Sequence, residues 1–126
     1  MQKVLVVEDN ADARDLLALV LTSEGFTIIT AENGLAGLAL AKAERPDLII
    51  TDISMPILDG VEMIKQIREI PELENIPIVA VSAYGSGITG DAVKAGASKA
   101  MHKPMEFTSF LAILKTLLES PSLAEN

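Results

Sequence analysis

Five short runs of apolar or β-branched residues punctuate the chain, each closing on polar or turn-forming positions. Val4-Leu5-Val6-Val7 passes into Glu8-Asp9-Asn10, and Leu48-Ile49-Ile50-Thr51 passes into Asp52. Ile76-Pro77-Ile78-Val79-Ala80-Val81 ends in Ser82, while Thr27-Ile28-Ile29-Thr30-Ala31 is β-branched up to Ala31 and reads as strand. The unbroken apolar runs before Asp52 and Ser82, bounded by turn residues, predict strands buried between layers. Lys99 to Lys103 predicts a shorter fifth strand, whose flanking lysines suit an exposed sheet edge.

Between the runs the apolar residues take up the spacing of a helix. Ala13, Leu16, Leu17, Val20 and Leu21 repeat at the three-and-four spacing of one buried face, with Asn10 as cap and Gly25 as stop. Asn33-Gly34 breaks the second strand, and Leu35 to Ala43 predicts an Ala/Leu-rich helix; Arg45-Pro46-Asp47 is a loop. Ile64, Ile67 and Ile70 mark a third helix stopped by Pro71. Glycines between Tyr84 and Gly90 predict that the fourth, about Ile88 to Ala95, is short or mobile. Phe107, Phe110, Leu111, Leu114, Leu117 and Leu118 form the stripe of a long last helix, followed by a polar tail from Ser120. Alternating strands and helices predict an α/β domain: one parallel sheet with helices on both faces and right-handed crossovers.

Composition narrows what such a domain does. At 126 residues the chain has length for one core, and 49% hydrophobic with 22% charged residues is globular, not disordered. The net charge of −8 argues against direct nucleic-acid or anionic-membrane binding. With no cysteine, thiolate catalysis and thiolate metal sites are excluded. No apolar run approaches the roughly 20 residues of a membrane span, and no signal-peptide pattern precedes the first strand, so a cytoplasmic location is expected.

The strand ends carry the chemistry. In a doubly wound five-stranded sheet of order 2-1-3-4-5, the first and third strands flank the switch point where ligands bind. Glu8 and Asp9 close the first strand, Asp52 the third, Ser82 the fourth and Lys103 the fifth. Three carboxylates with a hydroxyl and an ammonium at the rim demand a cation or a raised pKa. Hard oxygen donors with neither His nor Cys among them suit Mg²⁺. Singly, each residue has a plainer role as cap, turn hydroxyl or surface charge; jointly, at four strand ends, they read as one site.

These residues carry a resemblance. Glu8-Asp9-Asn10, Asp52-Ile53-Ser54-Met55-Pro56-Ile57-Leu58-Asp59-Gly60, Ser82-Ala83, Ala95-Gly96-Ala97 and Lys103-Pro104 resemble the CheY-like receiver domain of two-component response regulators, over about Lys3 to Leu118. The resemblance implies a flavodoxin-like fold over residues 1–119 with a frayed tail at 120–126. It implies a signalling phosphoacceptor, not an enzyme acting on other substrates. Asp52 would take a phosphoryl group from a sensor histidine kinase or histidine phosphotransfer protein. Asp9, Asp52 and the Ser54 carbonyl would hold Mg²⁺, with Glu8 helping through water. Lys103, the Ser82 hydroxyl and the Ala83 amide would contact the phosphoryl group, and a cis Lys103-Pro104 bond would aim the lysine inward. The α4-β5-α5 surface would then meet an unspecified downstream protein.

Two departures stand out. Where the family commonly has a switching aromatic ring on the last strand, this chain has Ala100; Tyr84 is a possible substitute, and ordering of the glycine-rich segment is a possible switch. The stretch from Ser82 to Lys103 is also slightly short for the family. Ala100 keeps open a module that retains the fold without accepting phosphate. A haloacid-dehalogenase-type phosphohydrolase would want a carboxylate where this chain has Ser54, and a flavodoxin-like redox protein would not put Glu8-Asp9 beside a cofactor phosphate. His102, the lone histidine, is expected to face solvent on the edge strand.

Overall fold

The computed structural model describes residues 2–55, 57–82, 89–103 and 106–119. In chain order it runs β1 (Lys3–Val7), α1 (Ala11–Ser23), β2 (Thr27–Ala31), α2 (Gly34–Glu44), β3 (Leu48–Asp52) and α3 (Gly60–Arg68). A short 3₁₀ turn at Pro71–Leu73 follows, then β4 (Ile78–Ser82), α4 (Thr89–Ala95), β5 (Lys99–His102) and α5 (Phe107–Glu119). All strands lie parallel in one sheet of order β2-β1-β3-β4-β5. This is the doubly wound arrangement that the alternation of elements predicts. Among the described residues no helix is long and apolar enough to cross a membrane.

The pleat sorts the strand residues into two cores. Leu5, Val7, Ile49, Ile78 and Ala80 pack with residues of α2, α3 and α4. Val4, Val6, Leu48, Ile50, Val79 and Val81 pack on the other face with Leu21, Phe110, Leu114 and Leu118 of α1 and α5. Because both faces are covered, the interiors of β1 and β4 are apolar and β3 turns polar only at Thr51 and Asp52, whereas β2 at the sheet edge is only partly buried.

Helix starts follow the side-chain chemistry. Asn10, Asn33 and Asp59 each accept from the backbone N–H three residues on, at 2.8–2.9 Å, and so cap α1, α2 and α3. Gly25, with φ of +96°, supplies the left-handed turn that ends α1.

Three helical expectations need correction. The third helix stops at Arg68, so Ile70 lies outside it: the residue before Pro71 is pushed out of the helical region and sits at ψ 115°. Leu16 is 52% exposed, since α1 turns Leu17 and Leu21 toward α5 and the sheet. Phe107, in the first turn of α5, is 37% exposed and precedes the buried stripe of Phe110, Leu114 and Leu118. The expectations for Tyr84, the Lys103-Pro104 bond and the tail involve residues outside those described.

Gly60 opens α3 directly against the end of β3. Its N–H donates to Ile53 O at 2.8 Å, and a Cβ there would strike the Asp52 carbonyl oxygen and lie 2.8 Å from Ile53 Cα. Both neighbours are backbone and cannot rotate away. Gly60→Ala should therefore destabilise by about 1–3 kcal/mol, with an unchanged slope in urea unfolding. A loss within about 0.5 kcal/mol, the range of a neutral surface change, would show that the loop yields freely.

Candidate phosphoacceptor site

The sheet register assembles the site. Val7 pairs with Thr51, which sets Glu8, just beyond β1, beside Asp52, the last residue of β3. Asp52 pairs with Val81 and Ser82 with His102, bringing the ends of β4 and β5 alongside.

Glu8, Asp9 and Asp52 each offer a carboxylate oxygen within 4.8 Å of the others. Lys103 reaches in from just beyond β5: its Nζ lies 2.9 Å from Glu8 Oε1 and 3.4 Å from Asp52 Oδ2. Its own backbone N–H donates to Ser82 O at 2.8 Å, which fixes the root of the side chain. Asp52 Oδ1 accepts from the Ser54 N–H at 3.3 Å. Asp9 is exposed, whereas Glu8 is buried and its Oε2 has no hydrogen-bond partner.

Second contacts steady this arrangement. Arg14 in α1 donates from its guanidinium to Glu8 O at 2.9 Å, and the Glu8 N–H donates to Ala31 O at 3.0 Å. Buried Thr51 donates its hydroxyl to Asp52 O at 2.8 Å. Ser82 is fully buried, and its Oγ lies 3.2 Å from Nδ1 of His102.

The structure thus brings together Glu8, Asp9, Asp52 and Lys103, with Ser54 touching Asp52 through its amide. Ser82 ends the neighbouring strand, and Ala83 lies outside the described residues. Ala100 packs half-buried against the α3 and α4 core. The sequence reading missed His102 as more than a solvent-facing edge residue: its ring is exposed, yet it bonds to a buried hydroxyl. Its position as last residue of the strand beside β4 was the available signal.

Charge crowding shows in the titration of Glu8. Burial first, then the nearby Asp52 carboxylate, push its pKa from 4.5 up to about 7, against the pull of Lys103. Burial disfavours the Lys103 ammonium, but its hydrogen bond to Glu8 and the charges of Asp52 and Glu8 outweigh that and raise its pKa.

A raised carboxyl pKa stabilises the fold in the protonated form. The Glu8 contribution is complete below the unfolded value of 4.5 and is lost as pH rises through about 7. The metal-free melting temperature should therefore carry a downward component across that window, and Glu8→Gln should remove it. Parallel pH profiles for wild type and variant would place the titration elsewhere.

Comparison with known proteins agrees with this geometry. The model of the response regulator receiver domain matches residues 4–115. The polar-differentiation response regulator DivK of Brucella anthropi is 33% identical over 118 residues, covering 93% of this chain and 96% of DivK. An uncharacterized 14.6 kDa protein of Leptolyngbya boryana is 42% identical over 81 residues, 64% of this chain and 62% of that protein's length, so this match spans less than two thirds of that relative. Among solved structures, the receiver domain of a sensor histidine kinase from Pseudomonas aeruginosa superposes with a TM-score of 0.88 at 28% identity, covering 94% and 98% of the two chains. That structure has a magnesium ion coordinated in its active-site cleft. With strand order, acidic cluster and lysine all in agreement, the chain belongs to the response regulator receiver domains, the phosphoacceptor signalling modules of two-component systems.

Proposed function

We propose that Asp52 accepts a phosphoryl group from the phosphohistidine of a sensor kinase or a histidine phosphotransfer protein, and that the resulting aspartyl phosphate alters the α4-β5-α5 surface for a downstream protein. The observation that carries this reading is the Asp52 carboxylate itself. It is held at a strand end by the Ser54 amide and the Lys103 ammonium, beside two further carboxylates.

In the transfer, an Asp52 oxygen forms the new P–O bond as the P–N bond to the donor imidazole breaks. The electron pair of that bond leaves with the imidazole nitrogen, which then takes a proton. Little covalent work falls to the protein, so positioning and charge compensation dominate. Lys103 stands ready to move from the carboxylates to the incoming phosphoryl oxygens as a point charge. The Ser82 hydroxyl and the Ala83 amide are assigned the remaining phosphoryl oxygens.

The donor set fits Mg²⁺. It consists of hard oxygens, and the buried Glu8 Oε2 lacks any partner to offset its desolvation. Asp9, Asp52 and the Ser54 carbonyl would hold the ion, with Glu8 acting through water. Bound there, Mg²⁺ neutralises charge on the phosphoryl group in transfer. The domain acts on itself alone: it catalyses its own phosphorylation and dephosphorylation.

Incubation with Mg²⁺ and acetyl phosphate, followed by intact mass, should show one added phosphoryl group on the wild type and none on Asp52→Asn. An adduct at normal yield on the variant would move the acceptor elsewhere. Removing one of three crowded carboxylates should also stabilise the metal-free protein by on the order of 1 kcal/mol at neutral pH. Mg²⁺ should raise the melting temperature of the wild type more than that of Asp52→Asn. Equal shifts would show that Asp52 is not a ligand.

A further inference from the structure

The bond between Ser82 and His102 joins a wholly buried hydroxyl to a ring on the exposed edge strand. The two residues are register partners, and Ala80 and Ala100 are the preceding pair on the same face of β4 and β5. A ring at position 100 is absent, but two residues further along that face, nearer the strand end, an imidazole is present and touches Ser82. The contact, 3.2 Å from Oγ to Nδ1, is within hydrogen-bond range.

A serine hydroxyl has one proton and two lone pairs, while a neutral imidazole has one donor and one acceptor nitrogen. If Nδ1 accepts, the only hydroxyl proton of Ser82 points at the ring. If Nδ1–H donates, that proton is released to point elsewhere while Oγ stays anchored. An anionic group on Asp52 favours the second arrangement, because a chain running Nδ1–H to Oγ–H to anion strengthens each of its bonds.

We propose that His102 is a positioning residue for phosphoryl transfer: donating from Nδ1, it anchors Ser82 Oγ and turns the hydroxyl proton toward the phosphoryl group on Asp52. The proposal rests on the assignment of Asp52 as acceptor and Ser82 as phosphoryl contact. It also gives the buried site a direct bond to the β5 edge, so that occupancy of Asp52 is felt by an exposed ring without an aromatic residue at position 100.

Because the chain has a single histidine, its ring ¹⁵N signals need no assignment. In the full protein with Mg²⁺ and beryllofluoride, Nδ1 should carry a proton, and in Ser82→Ala under the same conditions the protonated fraction of Nδ1 should fall. An unprotonated Nδ1 while ¹⁹F signals show the adduct formed would overturn the proposal. The rate of modification by acetyl phosphate supplies a second, independent reading. His102→Leu should slow it about three- to tenfold, the equivalent of one hydrogen bond, and His102→Asn, whose amide can donate from nearly the same place, should recover most of the loss. In the Ser82→Ala background His102→Leu should have no further effect. Equal slowing in both backgrounds would mean that His102 acts through strand structure, and would sink the idea. Absence of any adduct on the wild type is a different failure, because it removes the phosphoacceptor reading itself.

Discussion

The ammonium of Lys103, placed between the carboxylates of Glu8 and Asp52, is the interaction on which the rest of the site depends. It draws together the ends of three strands, the first, third and fifth, that are far apart in sequence. Without that charge, carboxylates within 4.8 Å of one another would face only mutual repulsion across the switch point of the sheet. One ammonium does not balance the cluster; burial first and the nearby Asp52 carboxylate second raise the pKa of Glu8, whose Oε2 has no hydrogen-bond partner. A pocket left short of positive charge is suited to a divalent cation.

The fold makes this economy of charge possible. Both faces of the sheet are covered by helices, so the interiors of β1 and β4 are apolar, β3 turns polar only at Thr51 and Asp52, and the charged groups gather at the carboxyl ends. Gly60 holds the start of α3 against the Asp52 carbonyl, and Thr51 and Ser54 hold Asp52 from either side. The Asp52 carboxylate is therefore presented by a stiff support, which suits the phosphoacceptor role proposed for it.

The fifth strand departs from the family pattern. With Ala100 in the place of a ring, the face of β5 toward α3 and α4 is small, and the polar connection to β4 runs instead through His102 and Ser82. A hydrogen bond between register partners at a strand end needs no large side-chain swing. The proposed coupling of pocket and surface would need only the placement of one proton.

Much of this was legible in the sequence because period and punctuation are local properties. Apolar runs ending in Glu8-Asp9, Asp52, Ser82 and Lys103 mark strands and their chemical ends, and alternation with helical spacing fixes the doubly wound class. Capping by Asn10 was equally readable, since a cap and its N–H partner lie three residues apart. What the sequence alone misjudged depends on packing from outside each element. Leu16 and Phe107 fit their helical stripes by spacing, but which side of a stripe is covered is decided by the neighbouring helix and sheet. The bond between Ser82 and His102 needed the register of β4 on β5, and the sharing of Lys103 between Glu8 and Asp52 needed the order of the strands. The order was expected from the doubly wound class, but register and the side-chain distances it sets arise from long-range pairing, so only the tertiary structure could decide them.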